Sequence, residues 1–245
     1  MIAGILSQCS QANAHDFTWD NLAMACIKLD KNYDVDANVE WYMENYREDT
    51  WKLARNDEFL MQEKKQETRK IFQDRINQFD VEQTFTLRGD TQIDDYDFTN
   101  NEFPRNPSGP DSYWYQHSSK YSDSIPSKLK VFMKNFQFLG GVPMEPAEAR
   151  AFIQSRKQNN GYVDRNVYAI IEFRVVKVRA EGELLAEALK VTYYRDSARR
   201  QPLGPTLVWK PQSESSSEQA SRSASAPADP KREGNADLSV VAGSR

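Results

Sequence analysis

The run from Ala37 to Phe79 constrains this fold most, because it contains neither glycine nor proline. These two residues are the ones that most often end helices, so their absence predicts one long helix over residues 37–79, or two helices with a soft break. Apolar residues recur at helical spacing early in the run, give way to the polar stretch QEKKQETRK, and return near its end. The polar stretch marks the expected break, or else a surface through which the helix assembles with another chain.

Two shorter helices are predicted by the residues at their starts. Thr18 carries a side-chain oxygen suited to capping a helix over residues 18–29, and Asp20 lies in its first turn, where negative charge is favoured. Asp36 has the same capping role before the long run. Pro146 opens the other short helix, in PAEARAFIQSRKQ, because proline is favoured in a first turn.

After Phe79 the apolar period becomes alternating, which is typical of β-strands. Residues 81–87 predict a strand that ends in a turn at Gly89–Asp90, and KLKVFMKNF predicts another strand. NVYAIIEFRVVKVRA and ELLAEALKVTYYRD, joined by EGE, predict a long hairpin, although ELLAEALK has an equal propensity for helix. PTLVWK is a last candidate strand. The prediction is an α+β fold, in which N-terminal helices, one of them long, pack on a mainly antiparallel sheet.

The first residues contain part of an export signal. Ala12 and Ala14 form an A-x-A pattern, but only the short apolar IAGIL precedes it, without a basic residue. Residues 1–14 are therefore interpreted as a truncated signal peptide, which predicts a periplasmic or secreted protein. The alternatives are a cytoplasmic chain and, less in keeping with the bulky Gln8, a lipoprotein attached through Cys9.

The last residues differ from the rest in composition. From about Gln212 the chain is a Ser/Ala/Glu tract with almost nothing apolar, which predicts a disordered tail over 212–245. A single α+β domain is expected over 15–211.

Composition and motif searches argue against several functional classes. A net charge of −4 disfavours nucleic acid as a main partner, and no apolar run approaches the ~20 residues that a transmembrane helix needs. GxSxG, HExxH, paired CxxC and both glycine-rich nucleotide fingerprints are absent, so no catalytic residue, cofactor or metal site is assigned. Cys26 lies at helical spacing from Leu22 and Leu29, which predicts a core side chain rather than a nucleophile.

Aromatic residues crowd the proline-bounded segment SYWYQHSSKY, which is predicted to be part of a long ordered loop. The candidate binding residues are Tyr113, Trp114, Tyr115, His117 and Tyr121. Such rings present a flat apolar face with a polar tip, which suits a protein or polysaccharide partner, although rings that fold back would merely hold the loop in place. The favoured function is a non-catalytic binding or interaction module of the bacterial periplasm or cell exterior.

An acidic cluster carries the alternative function, an acid-using hydrolase with a carboxylate pair. Its candidate residues are Asp94, Asp95, Asp97 and Glu102. This function requires two of these carboxylates to face one concave pocket. The spacing does not fit a calcium loop.

Four stretches carry a resemblance to a known family: WKLARNDEF, YDFTNNEFP, PMEPAEARAFI and YAIIEFRVVKV. They resemble an uncharacterised bacterial domain-of-unknown-function family of envelope-type proteins, over roughly Phe17 to Val208. The resemblance implies a bacterial source and export. It implies no activity and no catalytic residues.

Overall fold

The computed structural model describes residues 14–105 and 111–210. The predictions for residues 1–13, including Cys9, and for the tail over 212–245 lie outside these ranges. Within them the chain forms five α-helices and a mainly antiparallel sheet, which confirms the mixed α+β class. None of the helices in the described ranges is long and apolar enough to cross a membrane.

Four of the helices follow one another over residues 19–78, and the fifth lies later in the chain, between two strands. Their bounds are α1 Trp19–Leu29, α2 Val35–Tyr46, α3 Glu48–Ala54, α4 Glu58–Gln78 and α5 Pro146–Arg156. Thr18 caps α1 as predicted, since its hydroxyl accepts the backbone N–H of Asn21 at 3.3 Å. Pro146 opens α5, also as predicted.

The run over 37–79 is not one long helix. It breaks at Arg47 and again before Glu58, whereas the polar stretch at 62–70, the expected break, is continuous helix within α4. The second break needs no glycine or proline because Asp57 caps α4, its Oδ1 accepting the backbone N–H groups of Phe59 and Leu60 at 3.0 Å each.

The cap of α2 also differs from the prediction. Asp34, not Asp36, accepts the backbone N–H of Ala37, at 3.0 Å. Asp36 lies in the first turn and pairs with Arg69 of α4. Two residues of the predicted apolar face are exposed, Leu53 by 66 % and Phe59 by 89 %.

Seven strands form the main sheet, in the order β1-β2-β7-β8-β5-β4, with β9 also pairing with β8. Their bounds are β1 His15–Asp16, β2 Phe85–Gln92, β4 Tyr113–His117, β5 Lys128–Met133, β7 Asn166–Ala180, β8 Glu183–Tyr194 and β9 Leu207–Val208. Only the β1–β2 and β5–β8 pairs are parallel among the described strands. A separate two-stranded sheet joins β3 Glu102–Pro104 to β6 Gly141–Pro143.

The long hairpin is confirmed as β7 and β8, so ELLAEALK is strand rather than helix. Gly182, in the turn between the strands, has a φ of +67°, which favours glycine. The predicted turn at Gly89–Asp90 is wrong, because β2 runs straight through it and Gly89 pairs with Ala169 of β7. A side chain at Gly89 would point at the indole of Trp114, whose Nε1 lies 3.9 Å from the position of a Cβ.

The core lies between α1 and one face of the sheet. Helix α1 contacts β5 and β7, while α2, α3 and α4 contact one another and α4 also contacts α1. Phe85 of β2 and Phe173 of β7 are fully buried and stack with their ring centroids 5.3 Å apart. The opposite face of the sheet carries ion pairs, such as Lys190 with Glu172 at 2.7 Å, as expected for an antiparallel sheet with one face towards water.

Candidate functional site

The predicted aromatic loop is an edge strand. Residues 113–117 form β4, which pairs with β5 in a register that sets Tyr115 opposite Lys130. Tyrosine and tryptophan favour the pleated, half-buried surface of a strand, and this preference outweighs the turn signals of the flanking prolines. Strand β4 is last in the sheet order, and no described residue makes a backbone hydrogen bond to its outer edge.

Strand alternation divides the candidate binding residues between two faces. Tyr113, Tyr115 and His117 point away from the core, and the two tyrosines are 40 % and 55 % exposed. Trp114 points the other way and packs against the core. Tyr121 lies in the following loop, 61 % exposed, without a ring contact to another described aromatic residue.

Two lysines of β5 add positive charge to the exposed side of β4. The ammonium of Lys128 lies 4.2 Å from the ring centroid of Tyr115 and 5.2 Å from that of Tyr113. Lys130 lies 5.2 Å from the ring centroid of Tyr113 and pairs with Glu183 at 3.0 Å. Lys128 has no carboxylate partner among the described residues. We call Tyr113, Tyr115, His117 and Lys128 the aromatic face.

Trp114 lines a small pocket on the opposite, inner side of the sheet. The Arg105 guanidinium lies 5.7 Å from the ring centroid of Trp114, and Gly89 and Thr91 of β2 form another wall. The cavity measures about 160 Å³, below the ~300 Å³ at which ligand pockets begin. Its geometry suits packing rather than the binding of a ligand.

Two of the four acidic candidates, Asp95 and Asp97, are engaged in local side-chain contacts. Asp95 is 95 % exposed and pairs with Arg165. Asp97 accepts the backbone N–H groups of Thr99 and Asn100, and these donors hold the pKa of its carboxyl below the usual range.

Glu102 lies on β3 beside Gly141, and Asp94 is exposed at the end of β2. None of the four acids lines the pocket beside Trp114, the pocket beside Cys26 or the groove beside α5. The carboxylates are therefore not brought together in one of these pockets.

The groove beside α5 was not anticipated from the sequence. It has a volume of about 680 Å³ and lies between α5 and residues 96–103. Tyr96, Phe98 and Phe103 line one wall and Ile153 lines the other. The sequence feature that pointed to it was Phe98, an aromatic residue directly after the turn-forming aspartates of DDYDF.

Two further observations concern metal and thiol chemistry. In residues 14–105 and 111–210, no group of three or more His, Cys, Asp or Glu side chains is arranged to hold a metal ion. Cys26 packs against the core, where burial and the nearby Asp30 raise the pKa of its thiol to about 12. A thiol with this pKa is a poor nucleophile near neutral pH.

Comparison with known proteins finds that part of the chain matches one uncharacterised family. Neither the curated proteins nor the solved structures include a match to it. A family model does match a region that runs from the start of α2 into α5 and contains β4 and most of the groove. Residues 34–155, just under half of the chain, match the family described as Domain of unknown function (DUF4852), which confirms the predicted similarity to an uncharacterised domain family.

Proposed function

We propose that this protein is a non-catalytic binding module whose contact surface is the aromatic face. One observation carries the proposal: Tyr113, Tyr115 and His117 share the exposed side of an edge strand. Tyrosine contributes a large contact area with few rotatable bonds, so ordering it on binding costs little entropy. An exposed edge strand with no charged residue or proline lacks the usual protection against pairing with another chain.

Protein and polysaccharide are the two candidate partner classes, and a protein suits the aromatic face better. Sugars stack on open ring faces, whereas the Lys128 ammonium lies against the rings of both Tyr113 and Tyr115. A lysine without a carboxylate partner is a natural contact for an acidic group on a protein surface.

The test compares partner capture by matched variants. We expect Tyr113→Ala/Tyr115→Ala to lose a partner that the wild-type chain captures from an extract of the source organism, without a change in melting temperature. Tyr162→Ala is the control, because Tyr162 is a tyrosine of similar exposure, 56 %, outside the aromatic face. Co-sedimentation with insoluble cell-wall polysaccharide tests the other partner class. Equal capture by all three proteins would remove the proposal.

We also propose that the protein is exported to the bacterial periplasm or cell exterior. The A-x-A pattern at Ala12 and Ala14 supports this, together with the position of the first described strand. His15 donates its backbone N–H to the carbonyl of Thr84 at 2.7 Å, and its ring stacks on Phe79 at 4.5 Å. A cut after Ala14 removes none of the residues that make these contacts.

Mass spectrometry of the protein from fractionated cells tests the location. We expect a chain that starts at His15 in the periplasmic or extracellular fraction. A chain that keeps Met1 and stays in the cytosolic fraction would exclude export.

A further inference from the structure

The groove beside α5 is a second surface, separate from the aromatic face. Its volume of about 680 Å³ falls within the ~300–1,000 Å³ typical of ligand sites. Its walls are mainly apolar, with Phe103 fully buried at the base and Ile153 of α5 half-buried opposite. The groove is open to solvent along one side.

Phe98 projects from the rim of the groove on a firmly held turn. It is 78 % exposed, and its ring meets that of Tyr96 edge-on at 4.9 Å. The position of Tyr96 is also fixed, because its hydroxyl donates to the carbonyl of Met144 at 2.6 Å. Asp97 closes the turn by accepting the backbone N–H of Thr99 at 2.7 Å. An exposed aromatic ring on a fixed support is the form that interface anchors take.

Positive charge lies along the α5 wall of the groove. Arg150 and Lys157 line it, and neither forms an ion pair with a described residue. Other cations nearby are paired, namely Arg156 with Asp164 at 2.9 Å and Arg195 with Glu148 at 3.1 Å. The two groove cations are thus available to an acidic occupant.

Two carboxylates, those of Glu145 and Asp97, lie near the Tyr96 hydroxyl. Burial raises the pKa of the Tyr96 hydroxyl, and the nearby carboxylates of Glu145 and Asp97 raise it further.

We propose that this groove binds a short apolar peptide segment of a partner protein, with an acidic side chain of that segment placed at Arg150 and Lys157. Charge complementarity selects the acidic residue, and the apolar walls with Phe98 select its neighbours. A peptide fits better than a free amphiphile, because small ligands are held in pockets that enclose most of their surface, whereas the rest of a partner protein can cover an open groove.

The test selects random peptides displayed on phage against the full-length chain and measures the affinity of synthetic, fluorescein-labelled winners by polarisation. We expect sequences that combine Leu, Ile or Phe with Asp or Glu. Phe98→Ala, and separately Arg150→Glu/Lys157→Glu, should each weaken their binding by about tenfold or more, which corresponds to ~1.4 kcal/mol. Phe98, Arg150 and Lys157 are all exposed, so circular dichroism melts of the variants should match the wild type.

Matched controls separate the groove from general effects of charge and exposure. Lys31→Glu/Lys70→Glu makes the same change in net charge with exposed lysines outside the groove, and Phe59→Ala removes another exposed phenylalanine. Both should leave the affinity unchanged. Tyr113→Ala/Tyr115→Ala should also leave the peptide affinity unchanged. A failed groove proposal can therefore be told apart from a failed proposal for the aromatic face.

Three results would overturn the proposal. The first is the absence of enriched peptides, and the second is peptide binding that Phe98→Ala and Arg150→Glu/Lys157→Glu do not weaken relative to the controls. The third is a combination of two observations: no peptide is enriched, and calorimetry detects binding of sodium laurate that Phe98→Ala abolishes. That result would assign the groove to an amphiphile.

Discussion

At the scale of single residues, Trp114 and Tyr115 show how strand alternation separates packing from contact. Trp114 packs against the core and lies against Arg105, whereas its neighbour Tyr115 is 55 % exposed. We expect Trp114→Ala to lower the free energy of unfolding by about 2–3 kcal/mol, less than a fully buried tryptophan would. Tyr115→Ala should change it by no more than ~0.5 kcal/mol. Urea unfolding measures both, and equal losses would contradict this division of faces.

Cys26 provides a second prediction at this scale. With the pKa of its thiol raised to about 12, only ~1 in 10,000 molecules carries the thiolate at pH 8. We therefore expect a thiol reagent such as iodoacetamide to leave Cys26 unmodified in the folded protein at pH 8 and to modify it in urea. The measurement uses a Cys9→Ser variant, so that one cysteine reports. Rapid modification without denaturant would mean that Cys26 is more accessible than its packing indicates.

At the scale of helices and strands, Asp57 decides where α4 begins. Its Oδ1 accepts two backbone N–H groups, so Asp57→Ala leaves both donors without a protein partner. We expect a loss of about 1 kcal/mol in the free energy of unfolding, and a smaller loss for Asp57→Asn, which keeps a capping oxygen. Thermal or urea unfolding of the two variants gives the comparison. A larger loss for Asp57→Asn than for Asp57→Ala would argue against the cap.

The elements that sequence predicts well are those whose signals are local. The Thr18 cap, Pro146 at the first turn of α5 and the EGE hairpin each depend on residues within a few positions, and each is found as expected. The passage of β2 through Gly89 depends instead on a distant partner, strand β7. The neighbours of Gly89 in the sequence predict a turn there, whereas in the fold Gly89 pairs with Ala169 and leaves room for Trp114.

The same distinction applies to the candidate site. Sequence identified the aromatic residues, but their division between faces follows from pairing with β5, and their exposure follows from the position of β4 at the end of the sheet. The groove joins residues 96–103 to α5, two segments far apart in the chain, so local pattern could point only to Phe98. Long-range pairing decides which of the predicted aromatic side chains are exposed.

At the scale of the whole molecule, ionisable groups whose pKa values are shifted by the fold predict how stability depends on pH. Burial alone raises the pKa of Glu187, but Lys134 at 2.9 Å and Arg174 at 2.8 Å outweigh it and lower that pKa. Backbone N–H groups, first that of Gln201, lower the pKa of Asp196. On the alkaline side, burial raises the pKa values of Cys26, Tyr33 and Tyr46.

These shifts predict a plateau of stability between about pH 5 and pH 8. Carboxylates with lowered pKa values stabilise the fold above their unfolded pKa of about 4–4.5, and this contribution is lost as pH falls through their folded values. Cys26 and the two tyrosines stabilise it below their unfolded pKa values of about 8.5 and 10, and this contribution is lost as pH rises. Urea unfolding across the pH range measures the profile. Glu187→Gln should lower the plateau, because Lys134 and Arg174 lose their charged partner. It should also flatten the acid limb, the fall in stability at low pH, because the variant has no carboxylate to protonate. An unchanged acid limb in that variant, or stability that rises between pH 8 and 10, would show that other groups control the pH dependence.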